Sequence, residues 1–294
     1  MGRRPKTILR IAWLLLLLVA AALALYAFWI EPSGIRVVRY NIVLDRADAG
    51  DLAPLRIAVI GDLHAGAPYI DADKMRRIVA LTNGAGPDIV LLTGDYVVQR
   101  VLGGRHIKIE EIAPILGQLH APLGVYAILG NHDRWENAGH IVAVLQGAGI
   151  RVLDNRSIAI TRGKSMLYVA GIGDYFSHAD NQRLALRDVP SGQAALCFTH
   201  SPDVFPELPG TCLLTVAAHT HGGQVWLPLV GRMIVPSKFG QRYAAGLFHE
   251  DGKYLFVTTG IGTSILPVRF GVPPEISLLE VEKPARTTDR QTRL

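Results

Sequence analysis

The sequence predicts an α/β domain preceded by one N-terminal membrane helix. Three observations lead to this fold class: an uncharged apolar run near the N-terminus, short β-rich apolar runs through the rest of the chain, and polar residues placed directly after several of those runs. With 49% hydrophobic and 19% charged residues, the 294-residue chain can bury a substantial core, which excludes a disordered or fibrous protein.

The apolar run spans residues 11–30, "IAWLLLLLVAAALALYAFWI", and is long enough to cross a bilayer as a helix. Four basic residues precede it: Arg3, Arg4, Lys6 and Arg10. The positive-inside rule therefore predicts a cytoplasmic flank at residues 1–10, an anchor in the inner membrane and a periplasmic domain. A cleaved signal peptide is the alternative, since "ALA" at 22–24 resembles a processing site, although the apolar run continues to Ile30.

The charge and the cysteine content limit which partners and which redox chemistry can be expected. Much of the net charge of +5 lies in the N-terminal flank and the C-terminal tail, and the body carries no dense basic stripe, so no nucleic-acid partner is indicated. Cys197 and Cys212 lie within or beside apolar runs and do not have a CxxC spacing. We expect buried small hydrophobic residues rather than a disulfide or a ligand pair.

We expect one domain at residues 55–282, between a juxtamembrane connector at 31–54 and a polar tail at 283–294. Short apolar runs predict eight buried strands: Leu55–Ile60, Ile89–Leu92, Val125–Leu129, Met166–Ala170, Ala195–Thr199, Leu213–Ala217, Tyr254–Thr258 and Ile276–Val281. Helical periodicity predicts three helices: Asp71–Leu81, Ile107–Leu119 and Glu136–Gln146. Helices alternate with strands in the first half, and strands dominate later.

Five of these strands end in Asp, Asn or His. The motifs are "GDLH" at 61–64, "GD" at 94–95, "GNHD" at 130–133, His200, and "HTH" at 219–221. The C-terminal edge of an open α/β sheet is where ligands bind. Carboxylate, amide and imidazole groups form a mixed ligand set that suits Mn²⁺, Fe or Zn²⁺, and they are too many for one ion. Two metal ions that clamp the attacking and leaving oxygens are typical of phosphate ester hydrolysis.

These motifs resemble those of the calcineurin-like metallophosphoesterase superfamily. "GDLH", "TGDY", "GNHD", "FTHSPD" and "AHTHGGQ" occur in the family's order, and "LPVRFGVPPEISLL" resembles the C-terminal part of its membrane-linked or exported bacterial branch. The resemblance implies two central mixed β-sheets flanked by helices, in an αββα sandwich. One residue departs from the family pattern: Ala218 stands where the family usually has glycine.

The resemblance also implies a role for each matching residue. Asp62, His64 and His221 would hold the first metal, Asp95 would bridge, and Asn131, His200 and His219 would complete the second. His132 would face the substrate as the catalytic residue, and Asp133 would orient it. Alternatively, Asp133 caps a following helix, because Glu136 three residues later completes the pattern of a capping box. Two downstream residues are candidates for substrate binding, Gln224 and Arg269; Trp226, Arg242 and Tyr243 lie in loops that can wall the same pocket.

The predicted function is a membrane-anchored phosphohydrolase, in particular a phosphodiesterase, that cleaves phosphoester or pyrophosphate bonds with a hydroxide bridging two divalent ions. A membrane anchor suggests a substrate near the bilayer, and some relatives cleave the pyrophosphate of UDP-2,3-diacylglucosamine in lipid A synthesis. The predicted periplasmic topology argues against that substrate, because it is made on the cytoplasmic face. Two non-catalytic alternatives are a metal-binding scaffold and a periplasmic metal carrier.

Overall fold

The computed structural model describes residues 4–44, 52–99 and 101–284. Most of the predicted polar tail lies outside these ranges. The chain begins with a long helix, α1 (Arg4–Leu25), which continues through a π-helical turn (Tyr26–Ile30) into α2 (Glu31–Ser33). The stretch Lys6–Ser33 is long and apolar enough to cross a membrane, and its apolar window is not buried against the rest of the chain.

The first sheet has six strands in the order β1-β14-β2-β3-β4-β5. Its strands are β1 (Arg36–Val43), β2 (Leu55–Ile60), β3 (Ile89–Leu92), β4 (Val125–Ala127), β5 (Arg151–Val152) and β14 (Glu275–Glu282). Strands β2 to β5 are parallel, β14 runs antiparallel to β2, and β1 is parallel to β14. The expected connector at 31–54 is therefore partly an edge strand: most residues of β1 are exposed or half-buried, which suits a strand at the edge of a sheet.

The second sheet also has six strands, in the order β12-β13-β9-β8-β7-β6. Its strands are β6 (Arg156–Arg162), β7 (Ser165–Gly171), β8 (Ala195–Phe198), β9 (Cys212–Ala217), β12 (Gly246–Glu250) and β13 (Lys253–Val257). The four inner strands are parallel, and β6 and β12 pair antiparallel at the edges. A short hairpin of β10 (Trp226–Leu227) and β11 (Gly231–Arg232) stands apart.

The two sheets pack face to face, and helices cover the outer face of the first. Alternation along β2 shows the layers: Ile57 and Val59 face the core between the sheets, whereas Ala58 and Ile60 face the helical side. That side is covered by α3 (Ala72–Gly84), α4 (Ile109–Leu116) and α5 (Asn131–Gly147). The outer face of the second sheet is covered more thinly, by α6 (Gln182–Ala185), a 3₁₀ helix at Pro202–Glu207 and loops. The expected arrangement of two mixed sheets is confirmed.

The two cysteines depart from the sequence prediction, because Cys197 and Cys212 form a disulfide bond. They lie on the neighbouring strands β8 and β9, with Cα atoms 5.4 Å apart, within the range that a disulfide needs. Their distance in space depends on how β8 and β9 pair, which the spacing of the two cysteines in the sequence does not reveal.

Candidate metal centre

Seven predicted ligands converge where the two sheets meet, at the C-terminal ends of parallel strands. The loops after β2, β3 and β4 supply four of them, and the loops after β8 and β9 supply three. All seven are buried: Asp62, His64, Asp95, Asn131, His200, His219 and His221. Buried carboxylates and imidazoles in such number need a compensating partner, because burial penalises unpaired polar groups.

The backbone of five of these residues is in the left-handed region, which non-glycine residues rarely adopt. The φ angles are 51° at Asp62, 45° at His64, 56° at Asp95, 69° at His219 and 50° at His221. Main-chain hydrogen bonds between adjacent strand ends hold this conformation, from Asp62 N to Gly94 O (3.1 Å) and from His64 N to Asp95 O (2.9 Å). Strained backbone of this kind concentrates at functional sites, where the surrounding structure over-determines it.

The first cluster consists of Asp62, His64 and His221, whose candidate ligand atoms lie within 4.8 Å of one another. The Nε2 atoms of His64 and His221 face each other at 3.1 Å. The Nδ1 atom of each ring is buried and has no hydrogen-bond partner among the described residues. Burial lowers the pKa of His64 to about 3 and that of His221 well below its usual range. Two neutral rings with facing nitrogens fit a cation between them.

The second cluster consists of Asp95, His200 and His219, again within 4.8 Å. His200 Nε2 lies 3.1 Å from both Asn131 Oδ1 and His219 Nδ1. The other ring nitrogen of His200, Nδ1, is 2.8 Å from the carbonyl of Thr93, an acceptor only. Nδ1 therefore carries a proton that it donates to Thr93, and this arrangement directs Nε2 toward the cluster, as is usual for metal-binding histidines.

Asp95 joins the two clusters. Its Oδ2 atom lies 3.5 Å from His64 Nε2 and 3.2 Å from His200 Nε2. Burial alone would raise the pKa of Asp95, but the neighbouring His200 overrides it and holds that pKa below its usual range. Burial alone would lower the pKa of His200, and Asp95 in turn raises it to about 10. A proton on His200 thus neutralises the charge of the Asp95 carboxylate, a role that a bound cation would otherwise fill.

Asp62 provides a second indication that the site fits cations. Burial raises the pKa of its carboxyl group to about 7, so the isolated carboxylate is costly at neutral pH. A divalent cation would supply the compensating charge that the surrounding residues do not. The donor set of carboxylate oxygens, an amide oxygen and imidazole nitrogens fits two divalent ions.

His132 lies in the first turn of α5, beside both clusters. Its ring is 4.8 Å from the ring of His64, centroid to centroid, and its main-chain N–H donates to Asp95 Oδ1 at 2.9 Å. Its Nδ1 atom is 2.6 Å from Gln99 Oε1, and Gln99 Nε2 donates to the carbonyl of His132 at 2.7 Å. Gln99 therefore holds His132, and no feature of the sequence indicated it.

Asp133 bonds main-chain groups rather than the His132 ring, and it caps α5 from within the helix rather than from the residue before it. Helix α5 begins at Asn131, which makes Asp133 its third residue rather than a residue before it. The buried Asp133 carboxylate accepts main-chain N–H groups of Gly130 (2.9 Å), Asp95 (2.7 Å) and Tyr96 (2.9 Å). It ties the loop after β3 to the start of α5, so its effect on the site is to place Asp95.

The side chains of Arg269 and Gln224, predicted to contact substrate, make their hydrogen bonds to main-chain groups of the 259–272 loop. The Arg269 side chain is fully buried, and its guanidinium donates to the carbonyls of Thr259, Gly262 and Val272. Gln224 accepts from Ser264 N at 2.6 Å and donates to Leu266 O at 3.2 Å. Both side chains stabilise the 259–272 loop, because their hydrogen bonds satisfy main-chain groups of that loop.

The other predicted wall residues also have partners elsewhere. Arg242 forms an ion pair with Glu250 (2.7 Å). Tyr243 is buried in the core behind the second sheet, with its hydroxyl donating to Glu250 at 2.7 Å. The Trp226 main-chain N–H donates to Phe270 O at 2.8 Å. These contacts place Arg242 and Tyr243 in the packing of the second sheet.

Two aromatic residues that sequence reasoning missed form a rim beside the clusters. The ring of Trp135 is 4.9 Å from that of His132, and the ring of Phe176 is 5.1 Å from that of His219. The two rings are 6.2 Å apart and both are exposed. Phe176 follows β7, one more strand that ends at this edge. We call Trp135 and Phe176 the aromatic rim; its position suits contact with the part of a substrate outside the metal clusters.

Ala218 is accommodated because a glycine lies opposite it. A Cβ atom at Gly61 would lie 2.7 Å from the Ala218 Cβ and 2.4 Å from Thr93 Oγ1. The Ala218 methyl is fully buried in this space, and its main-chain N–H donates to His200 O at 2.8 Å. The departure at residue 218 therefore leaves His219 within the second cluster.

Comparison with known proteins agrees with this geometry. A model of the calcineurin-like phosphoesterase family matches residues 55–223. The chain is 29% identical to phosphodiesterase YaeI of Escherichia coli K12, over 87% of this chain and 92% of the relative. It is 28% identical to the UDP-2,3-diacylglucosamine pyrophosphatase LpxG of Chlamydia trachomatis (86% and 91% covered). It is 26% identical to a transmembrane protein with metallophosphoesterase domain from Danio rerio (90% and 61%). The family match covers more than half of the chain, so this protein belongs to the calcineurin-like phosphoesterase family of metal-dependent hydrolases.

Proposed function

We propose that the chain is a membrane-anchored phosphodiesterase that uses two divalent metal ions, Mn²⁺, Fe or Zn²⁺. The observation that carries this proposal is the pair of buried ligand clusters that share Asp95. Asp62, His64 and His221 would hold one ion, and Asn131, His200 and His219 the other. When bound, two such ions offset the negative charge of a phosphoryl group and lower the pKa of water.

His132 is suited to serve the leaving oxygen. Gln99 engages its Nδ1 atom, which leaves Nε2 for the substrate. Burial lowers the pKa of His132, and a nearby phosphate anion would counter that effect by favouring the imidazolium form. A proton held at Nε2 can then pass to the oxygen that leaves phosphorus.

The start of α5 also favours an anionic substrate. Asn131 and His132 are the first two residues of α5, whose first segment ends at Asn137, a residue with non-helical backbone angles, and the main-chain N–H groups of the first turn carry partial positive charge. The His132 N–H is used by Asp95, so the helix contributes its field rather than a free donor. A phosphate beside His132 would lie within the range of that field, which falls off within the first turn.

The proposed anchor is the helical stretch Lys6–Ser33, with the catalytic domain outside the cytoplasm. The disulfide between Cys197 and Cys212 supports this placement, because disulfides persist in oxidising compartments and are rare in the cytosol. The name of the Danio rerio relative, a transmembrane protein, supports an anchor as well.

The test is hydrolysis of bis(4-nitrophenyl) phosphate and 4-nitrophenyl phosphate by the full chain in detergent, with Mn²⁺, Fe²⁺ or Zn²⁺ supplied. We expect faster hydrolysis of the diester. His132→Asn should keep its metal content and lose activity by about a hundredfold to ten-thousandfold, the usual contribution of a general acid. Asp95→Asn should lose both metal and activity.

His140→Asn is the matched control, because His140 is an exposed histidine of the same helix that pairs with Glu110 at 2.7 Å. It should behave as the unmodified chain. A chain that binds two metals but hydrolyses neither ester would instead be the non-catalytic scaffold. Full activity in His132→Asn would refute the role given to His132.

The similarity to LpxG provides a second candidate, pyrophosphate cleavage of UDP-2,3-diacylglucosamine. The assay is release of UMP from that nucleotide lipid by the same preparation. Release at a rate well above that of the aryl diester would favour the pyrophosphatase and a cytoplasmic catalytic domain.

A further inference from the structure

An unusual set of exposed aliphatic side chains lies in three loops of the catalytic domain. Outside the N-terminal helix, the most exposed large hydrophobic residues that the structure describes are 61% to 108% exposed. We call them the apolar loop face: Leu102, Leu229, Val230, Met233, Ile234 and Ile265. Single exposed apolar residues are ordinary on a protein surface, but a group confined to a few loops indicates an interaction surface.

Main-chain and side-chain contacts join these loops. The Leu102 N–H donates to Ile265 O at 3.0 Å, and Val101 forms a β-bridge with Ile265. The β10–β11 hairpin, which carries Leu229 and Val230 at its turn, is tied to the third loop through Trp226 N and Phe270 O at 2.8 Å. The loop face is therefore one connected region of the surface.

The same region is attached to the C-terminal end of the N-terminal helix. Arg269 N donates to Ala27 O at 2.9 Å, and the ring of Phe270 packs edge-on against Tyr26 at 5.9 Å. The buried Glu31 carboxylate accepts the main-chain N–H groups of Gly271 (3.0 Å) and Val272 (2.7 Å). These contacts hold the 264–272 loop where the helix ends.

Aromatic residues mark that helix end as a membrane interface. Tyr26, Phe28 and Trp29 are exposed, and such residues concentrate at the boundary between lipid and water. The Tyr69 hydroxyl donates to Phe28 O at 2.8 Å, which adds a second loop to the attachment. A bilayer that surrounds the helix therefore lies next to the loop that carries Ile265.

The attached loop also reaches the metal centre. Gly262 N donates to Asp62 O at 2.6 Å, and Ile261 N donates to Gly61 O at 3.1 Å. Only two residues lie between Gly262 and Ile265. A bilayer in contact with the apolar loop face would thus lie close to the first metal cluster.

We propose that the apolar loop face inserts into the same bilayer as the N-terminal helix, and that the site acts on the phosphodiester headgroup of a lipid that stays in that bilayer. This inference rests on the proposed phosphodiesterase function. The helix fixes the domain at the membrane, and the loops set its orientation, so that the clusters open toward lipid headgroups. Water would cleave the phosphorus–oxygen bond, with the lipid phosphate retained on one product and an alcohol released as the other.

The contact is tested on the full chain in vesicles of phosphatidylcholine and phosphatidylglycerol. Ile234→Cys and Ile265→Cys are labelled with bimane, and quenching by doxyl-labelled lipids is measured. Leu184→Cys is the control, since Leu184 is an exposed residue of α6 behind the second sheet. Labels at 234 and 265 should be quenched and the label at 184 should not. Equal, weak quenching at all three positions would overturn the proposed contact.

The substrate class is tested with a variant that carries Leu229→Ser, Ile234→Ser and Ile265→Ser. Phosphatidyl-4-nitrophenol in vesicles and soluble bis(4-nitrophenyl) phosphate release the same product. We expect kcat/KM to fall about tenfold or more on the lipid and to change by less than about twofold on the soluble ester. Equal effects on both esters, or none, would overturn the inference. Absence of hydrolysis of the soluble ester by the unmodified chain would instead refute the proposed function.

Discussion

The two hydrogen bonds between Gln99 and His132 define which nitrogen of His132 faces the substrate. The carbonyl of His132 can only accept, so the amide nitrogen of Gln99 must face it. The amide oxygen then faces Nδ1, which must carry a proton to donate. Nε2 is left with its lone pair, or with a second proton, for the reaction.

Gln99→Ala should therefore lower kcat by about tenfold to a hundredfold, the usual effect of removing a partner that orients a functional histidine. KM and metal content should change little, because Gln99 contacts none of the predicted ligands. The measurements are steady-state kinetics on bis(4-nitrophenyl) phosphate and metal analysis. Gln118→Ala is the control, since Gln118 is exposed and bonds Pro114 O on α4. An unchanged kcat in Gln99→Ala would contradict the positioning role.

The sequence predicted the residues of the clusters better than the residues around them. Asp62 and His219 each follow an apolar strand, so their position at the C-terminal end of a strand can be inferred from order alone. Gln99 has no such signal, because its partner belongs to another loop. Arg269 was assigned to substrate because arginine suits phosphate, but a buried guanidinium also binds main-chain carbonyls, and that use prevailed here.

Helix α5 is placed by close contact between its first residues and the loop after β3. The sequence predicts a start at Glu136; α5 begins at Asn131, and the non-helical backbone at Asn137 separates its first turns from the segment that carries the predicted periodicity. Its N-cap, Gly130, leaves no room for a side chain: a Cβ atom there would lie 2.1 Å from Asp95 Oδ1. The glycine allows the helix to start directly against the shared ligand.

Gly130→Ala should displace the Asp95 carboxylate and weaken metal binding by about tenfold or more. The φ of Gly130 is −92°, so the effect would come from lost space rather than backbone strain. Metal affinity by calorimetry and thermal unfolding of the metal-free chain are the measurements. Retention of wild-type affinity would show that the loop after β3 can move.

Gly147→Ala provides the control within the same helix. A Cβ atom at Gly147 meets nothing within 4 Å. The added methyl should leave metal affinity unchanged and raise the free energy of unfolding by up to about 1 kcal/mol, because alanine favours a helix over glycine.

The sequence predicts strands where apolar residues are continuous and does not predict them where polar residues interrupt the apolar run. Strands β2, β3 and β9 are buried throughout or nearly so, which gives the unbroken runs seen in the sequence. Strand β1 is instead mostly exposed or half-buried, and it pairs with β14 more than two hundred residues later. Pairing at that separation depends on the whole fold, which local periodicity does not report.

At the scale of the whole molecule, the N-terminal helix is attached to the catalytic domain through several direct contacts. Glu31 is bound to the loop at 271–272, the Lys74 ammonium donates to the carbonyls of Ser33 and Gly34, and β1 follows directly into the first sheet. Under the proposed anchoring, the direction in which this helix crosses the membrane determines the compartment of the metal centre.

The proposed topology predicts opposite behaviour of reporters at the two ends of the chain. Basic residues before the helix favour a cytoplasmic N-terminus, and the Cys197–Cys212 disulfide favours an oxidising compartment for the domain. Alkaline phosphatase fused after Leu294 should be active, and green fluorescent protein at the same position should be dark, whereas fluorescent protein fused before Met1 should fluoresce. Replacing Arg3, Arg4, Lys6 and Arg10 with Asn should reduce phosphatase activity of the first fusion, since the charge bias would be gone. A fluorescent C-terminal fusion would reverse the orientation and return the UDP-2,3-diacylglucosamine reaction to the first place among candidate substrates.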